Sequence, residues 1–77
     1  MKIFVGNIPS HVMLEEARML FEAYGAVDDV TFIVDEDGRF RGFGFVQMPN
    51  DDDARAAISD LNGSDWWGTS LTVSEAL

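Results

Sequence analysis

Phe40-Arg41-Gly42-Phe43-Gly44-Phe45-Val46-Gln47-Met48 is an aromatic and apolar run broken only by small or polar residues, the composition of a β-strand. Side chains alternate between the two faces of a strand. With Val46 and Met48 turned inward, Arg41, Phe43, Phe45 and Gln47 turn outward. Upstream, Asp37-Gly38 is a hairpin signal that joins this strand to the β-branched and aromatic stretch Val27 to Val34. Downstream, Pro49 ends the strand and Asn50 caps a helix whose first turn carries Asp51, Asp52 and Asp53 beside the positive end of the helix dipole. Ala54, Ala57, Ile58 and Leu61 form its buried face, and Asn62-Gly63 stops it. The polar stretch to Gly68 turns the chain into a last strand in which Leu71, Thr72, Val73 and Ser74 alternate.

The N-terminal half completes the pattern. Ile3 to Val5 reads as a buried strand closed by Gly6-Asn7-Ile8-Pro9. Met13, Ala17, Leu20, Phe21 and Tyr24 then fall on one face of a helix that ends at Gly25. The order βαββαβ predicts an α+β, ferredoxin-like sandwich: a four-stranded antiparallel sheet with two helices on one face. The other face is left open. If Ile3 and Val5 point to the helices, Lys2 and Phe4 join Phe43 and Phe45 on that open face.

The chain has 77 residues, enough for a single domain spanning residues 1–77 and one core. It has no Cys and one His, which excludes disulfide staples, a zinc finger and a His-rich metal centre. No apolar run approaches the roughly 18 residues of a membrane span, and the charged N-terminus lacks the pattern of a secretory signal. A soluble, intracellular domain with no cofactor and no small-molecule substrate is expected. Asp35-Glu36-Asp37-Gly38 is read as a solvated turn, since it lacks the later ligands of a calcium loop. The formal charge of -9, from fourteen acidic and five basic residues, argues against a nucleic-acid partner on electrostatics alone.

The local pattern argues the other way. Rings displayed together on an open sheet need a reason, and flat aromatic faces beside a planar cation suit unpaired bases and their phosphates. Residues 41–48 closely resemble the RNP1 signature of the RNA recognition motif family, and Ile3-Phe4-Val5-Gly6-Asn7-Ile8 resembles its RNP2 partner. Gly25, Asn62-Gly63 and the closing Leu71-x-Val73-x-Glu75-Ala76 are similar to the family as well, so the resemblance spans essentially the whole chain. The short form is most similar to the small single-domain RNA-binding proteins of cyanobacteria and other bacteria, with plant glycine-rich RNA-binding proteins as relatives.

The resemblance implies that Phe4 and one of Phe43 and Phe45 each stack a base, that the remaining ring leans on a sugar, and that Arg41 pairs with a phosphate. Lys2 and Gln47 join by alternation, and Thr31, Ile33, Thr72 and Ser74 are expected on the same face, within reach of base edges. Lys2, Arg39 and Arg41 fall on or beside the open face, whereas Glu15, Glu16, Glu22, Asp51, Asp52, Asp53 and Asp60 belong to the helices behind it. Net charge therefore misstates the local field, although it still weakens binding to micromolar affinity or below.

The expected partner is single-stranded RNA, with tolerance for single-stranded DNA because stacking does not test for the 2′-hydroxyl. The expected state is a monomer, and the expected location is a bacterial cytoplasm, with a nuclear or organellar one as alternative. A competing reading makes the same sheet, or the Trp67 edge and the acidic helices, a surface that holds a polypeptide or a second copy of the domain. An acylphosphatase-like enzyme lacks support, since no phosphate-cradling loop is evident. Three further expectations concern packing. Ser10 caps the first helix in place of Met13, Trp66 packs against the second helix, and Trp67 covers the sheet edge.

Overall fold

The computed structural model describes residues 1–76. The elements run β1 (Lys2–Gly6), α1 (Leu14–Glu22), β2 (Asp29–Val34), β3 (Phe40–Gln47), α2 (Asp51–Leu61), β4 (Asp65–Trp66), β5 (Thr69–Ser70) and β6 (Thr72–Glu75). Strands β2, β3, β1 and β6 lie in that order in one antiparallel sheet. This is the predicted α+β sandwich, with one addition: β4 and β5 form a separate two-stranded hairpin. Its two-residue turn is Trp67-Gly68, which has the Gly of the usual Asn-Gly signal but Trp in place of Asn.

The core lies between the sheet and the helices and is wholly apolar. Ile3 and Val5 of β1, Val46 of β3 with the adjacent Met48, Val73 of β6, Ala17 and Phe21 of α1, and Ala54, Ala57 and Leu61 of α2 are all buried. Phe32 and Phe40 stack at 4.7 Å and pack against this core. The inward and outward assignments made from alternation therefore hold on β1, β3 and β6.

Helix α2 starts as expected. The Asn50 side chain accepts a hydrogen bond from the Asp53 amide at 3.0 Å, and Asn62 at the far end accepts one from the Val73 amide. Replacing Asn50 with Ala is expected to cost about 1 kcal/mol, which for a domain of this size lowers Tm by roughly 4–8 °C in a thermal melt.

Helix α1 departs from expectation at its start. Met13, not Ser10, is the N-cap residue, and it is 67% exposed rather than on the buried face. A methionine side chain offers no strong acceptor, so the Glu16 carboxylate reaches back instead and accepts from the Met13 amide at 3.1 Å. At the other end of α1, burial and then the Asp60 side chain raise the pKa of the Tyr24 phenol above its ordinary value. Trp66 packs against the core to which Ala54, Ala57 and Leu61 of α2 belong, and both Trp66 and Trp67 border a hollow with Met19 and Leu20 of α1. The hairpin that carries Trp66 was not anticipated.

Candidate nucleic-acid interface

Register fixes which side chains become neighbours on the open face. Phe4 lies opposite Phe45 on one side and Ser74 on the other, and Thr31 lies opposite Phe45. Two residues along, Lys2 and Asp29 both lie opposite Gln47. In the other direction, Gly6 lies between Phe43 and Thr72. The face is thus a grid of three rows, with rings in its centre.

Phe4 and Phe43 are 5.8 Å apart between centroids and tilted by 33°. Phe45 meets both edge-on, at 6.0 Å from Phe4 and 6.5 Å from Phe43. Gly6 makes room for this arrangement, because a Cβ there would lie 2.8 Å from the Phe4 ring. Gly42, with φ at +82°, takes the left-handed conformation that lets β3 swerve beside it, and its carbonyl accepts from the Ile8 amide. Half of the six phenylalanines are spent on this open face and half on the core side.

Two hollows flank the rings. One is bordered by Phe4, Arg41, Phe43 and Thr72, with Asn7 and Ile8 at its end. The other is bordered by Lys2, Asp29, Thr31, Ile33, Phe45 and Gln47. Nine of the eleven residues singled out from sequence line one or other hollow. Ser74 is exposed beside Phe4 on the same face. Arg39 borders neither hollow: it sits in the β2–β3 turn, where its amide donates to the Asp35 carboxylate and its carbonyl accepts from the Asp35 amide.

Asp29 was missed, although stepping back two residues from Thr31 places it on the face. Its carboxylate accepts from the Thr31 hydroxyl at 3.2 Å. The Lys2 ammonium lies 4.4 Å from the Phe45 centroid, a cation–π contact that occupies one side of that ring. Alternation puts Lys2 on the face but says nothing of where its long side chain comes to rest.

Charge is sorted by side. Arg18 on α1 donates to the Val27 carbonyl, and Arg55 on α2 pairs with Asp52 at 3.2 Å. Among the described residues, Lys2, Arg39 and Arg41 make no ion pair. The Asp35 carboxylate accepts from the amides of Asp37 and Arg39, so it organises the turn.

A split βαβ sandwich whose uncovered sheet displays clustered rings and cations is a binding platform. The chain belongs to the RNA recognition motif family, whose sequence profile matches residues 3–72. It is 46% identical over 77 residues to the RbpB protein of Nostoc sp. (strain PCC 7120), covering 99% of this chain and 75% of that one. It is 43% identical over 76 residues to the chloroplastic 28 kDa ribonucleoprotein of Spinacia oleracea, covering 97% of this chain and 33% of that one. Among solved structures, RNA-binding protein PG1 superposes with a TM-score of 0.95 at 46% identity, covering 100% of this chain and 94% of that one. A chain of a Sex-lethal protein/RNA complex superposes with a TM-score of 0.90 at 29% identity, covering 97% of this chain and 47% of that one. Among the described residues no helix is long and apolar enough to cross a membrane.

Proposed function

We propose that this chain is a single binding module for single-stranded RNA. The observation that carries the reading is the cluster of Phe4, Phe43 and Phe45, whose centroids lie 5.8 to 6.5 Å apart on an uncovered sheet between two hollows. The names of its relatives, which include RNA-binding proteins and a ribonucleoprotein, agree with it. Phe4 and Phe43 offer the more open pair of ring faces, because Lys2 stands over Phe45. A base on Phe45 then either displaces Lys2 or takes its ammonium as an edge contact. Arg41 serves a phosphate beside Phe43. Thr31, Ile33 and Gln47 flank one base position, and Thr72 and Ser74 the other, where hydroxyl and amide groups read base edges. Arg39 contributes charge from the turn and no contact to the ring cluster.

Binding of this kind makes and breaks no covalent bond. The partner is unpaired RNA, with single-stranded DNA tolerated, and the module acts as a monomer. Cyanobacterial and chloroplast relatives favour a bacterial or organellar interior as its place of action.

Three cations on a chain of net charge -9 set the expected salt response. About three phosphate contacts to a single strand give a log–log slope near -2, and repulsion from the acidic helices makes it shallower at low salt. Fluorescence anisotropy of a labelled short RNA pool between roughly 25 and 200 mM salt measures this. Arg41→Ala is expected to flatten the slope by about 0.7 while weakening all sequences alike. A folded wild type that shows no saturable binding at the lowest salt would refute the proposed function. A slope steeper than about -4 would refute the ring-dominated mechanism.

A further inference from the structure

The hollow bordered by Glu16, Met19, Leu20, Ala23, Trp66 and Trp67 lies between α1 and the β4–β5 hairpin, on the helix side and away from the rings. Its most unusual feature is in the backbone. Trp67 has φ at +56° and Gly68 φ at +80°, so the turn needs two left-handed residues in succession. Asn or Gly adopts that conformation readily, whereas for a bulky side chain it is strained. Burial returns little for the strain, since Trp67 is 58% exposed and, among the described residues, the one aromatic ring beside its indole is that of His11, T-shaped to it at 5.6 Å. Met19, across the hollow, is 67% exposed. A strained residue held open beside an exposed apolar wall points to use.

The charge around the hollow says what kind of occupant fits. Glu16 is part of the lining, and Glu15 and Glu22 lie one helical turn either side of Met19. The cation nearest in sequence, Arg18, is turned away to the Val27 carbonyl. RNA is repelled from such a rim, and a second copy would bring the same acidic rim and a further net charge of -9. A cationic polypeptide is attracted. We propose that this hollow is a docking site for a basic polypeptide segment that inserts one aliphatic or aromatic side chain between Met19 and the two tryptophans. Docking there leaves the sheet free, so the same molecule can carry a peptide partner and a nucleic acid together.

Both tryptophans of the chain border the hollow, so intrinsic fluorescence reports it separately from the sheet. The probes are ten-residue lysine-rich peptides with a central Leu or Phe, a matched peptide with central Gly, and a glutamate-rich peptide with central Leu. Saturable binding of a Leu- or Phe-centred basic peptide is expected, at least tenfold tighter than either control, with a blue shift of the emission. Trp67→Asn is expected to lose at least tenfold in peptide affinity, to melt no lower than wild type, and to keep its RNA affinity. Met19→Lys, on an exposed helix position, provides an independent variant with the same expected loss. The proposal is overturned if none of the peptides binds, if the Gly-centred peptide binds equally well, if both variants bind like wild type, or if sedimentation shows that a second copy occupies the hollow. RNA titration of the same samples reports on the sheet independently.

Discussion

Phe43→Ala/Phe45→Ala is expected to lose RNA affinity by about 30-fold or more while remaining folded. Each stacked base contributes roughly 1–3 kcal/mol, so two rings account for about 2–6 kcal/mol, and ~1.4 kcal/mol is tenfold in affinity. The domain survives because neither ring belongs to the buried core, which Ile3, Phe21, Val46 and Met48 dominate. What folding loses is the three ring pairs among Phe4, Phe43 and Phe45, about 0.5–1.5 kcal/mol for each pair. Phe43→Leu separates the two effects. It keeps apolar bulk but removes the flat face, so it should bind several-fold more weakly and melt near wild type. Anisotropy for binding and a thermal melt for stability decide the matter. An affinity within threefold of wild type in the double variant would show that the rings are not the platform.

How far this could be foreseen depends on which physical rule governed each part. Alternation is strict in a strand, so Phe4, Arg41, Phe43, Phe45 and Gln47 could be assigned to one face from the sequence; the register makes Phe4, Phe43, Phe45 and Gln47 neighbours, and Arg41 shares a hollow with Phe4 and Phe43. Thr31, Ile33, Thr72 and Ser74 followed from the same period. Asp29 obeys the same period and lies on the face beside Thr31. Side-chain placement is a different matter. The position of Lys2 over Phe45 depends on rotamers of a long flexible chain, and the two-residue period carries no information about them. The β4–β5 hairpin was not legible because its turn has Trp where Asn is usual, and the hollow that Trp66 and Trp67 border beside α1 was consequently not foreseen. Met13 matched the helical period of α1 yet proved to be its cap, since periodicity locates a helix face better than a helix end.

The acidic character of the chain is compatible with a nucleic-acid platform because of where the charges fall. The acidic first turns of α1 and α2 are on the layer behind the sheet, while Lys2 and Arg41 border the hollows beside the rings. Long-range steering is absent, so association rests on short-range stacking and only a few phosphate contacts. Slow or weak capture with good discrimination against duplex RNA is the natural behaviour of such a surface, since paired bases hide the faces that the rings require.

Gly44→Ala is expected to be among the most destabilising single-methyl changes in the chain, though Gly44 touches no proposed ligand. Gly44 is buried between Phe43 and Phe45 and faces the helices' side of β3. A Cβ at that position would collide with the carbonyl oxygen of Thr31 and come within 3.1 Å of the Phe32 Cα and ring. The first two of these are backbone atoms of the paired strand, which no rotamer change can move aside. Relief requires prising β2 from β3 at the rungs joining Thr31 to Phe45 and Phe32 to Gly44, where the Phe32–Phe40 stack also packs on the core. Overpacking that only side chains absorb costs roughly 1–3 kcal/mol. A clash with ladder backbone should exceed about 3 kcal/mol, against a total stability of about 5–15 kcal/mol for ordinary domains. Urea denaturation of Gly44→Ala should therefore show a midpoint far below wild type, or no folded baseline. RNA affinity should fall with it, because the strand that carries Phe43 and Phe45 is the one displaced. A loss under 1 kcal/mol would mean that β2 yields easily, and that the close approach of the two strands is not what makes glycine necessary between the two rings.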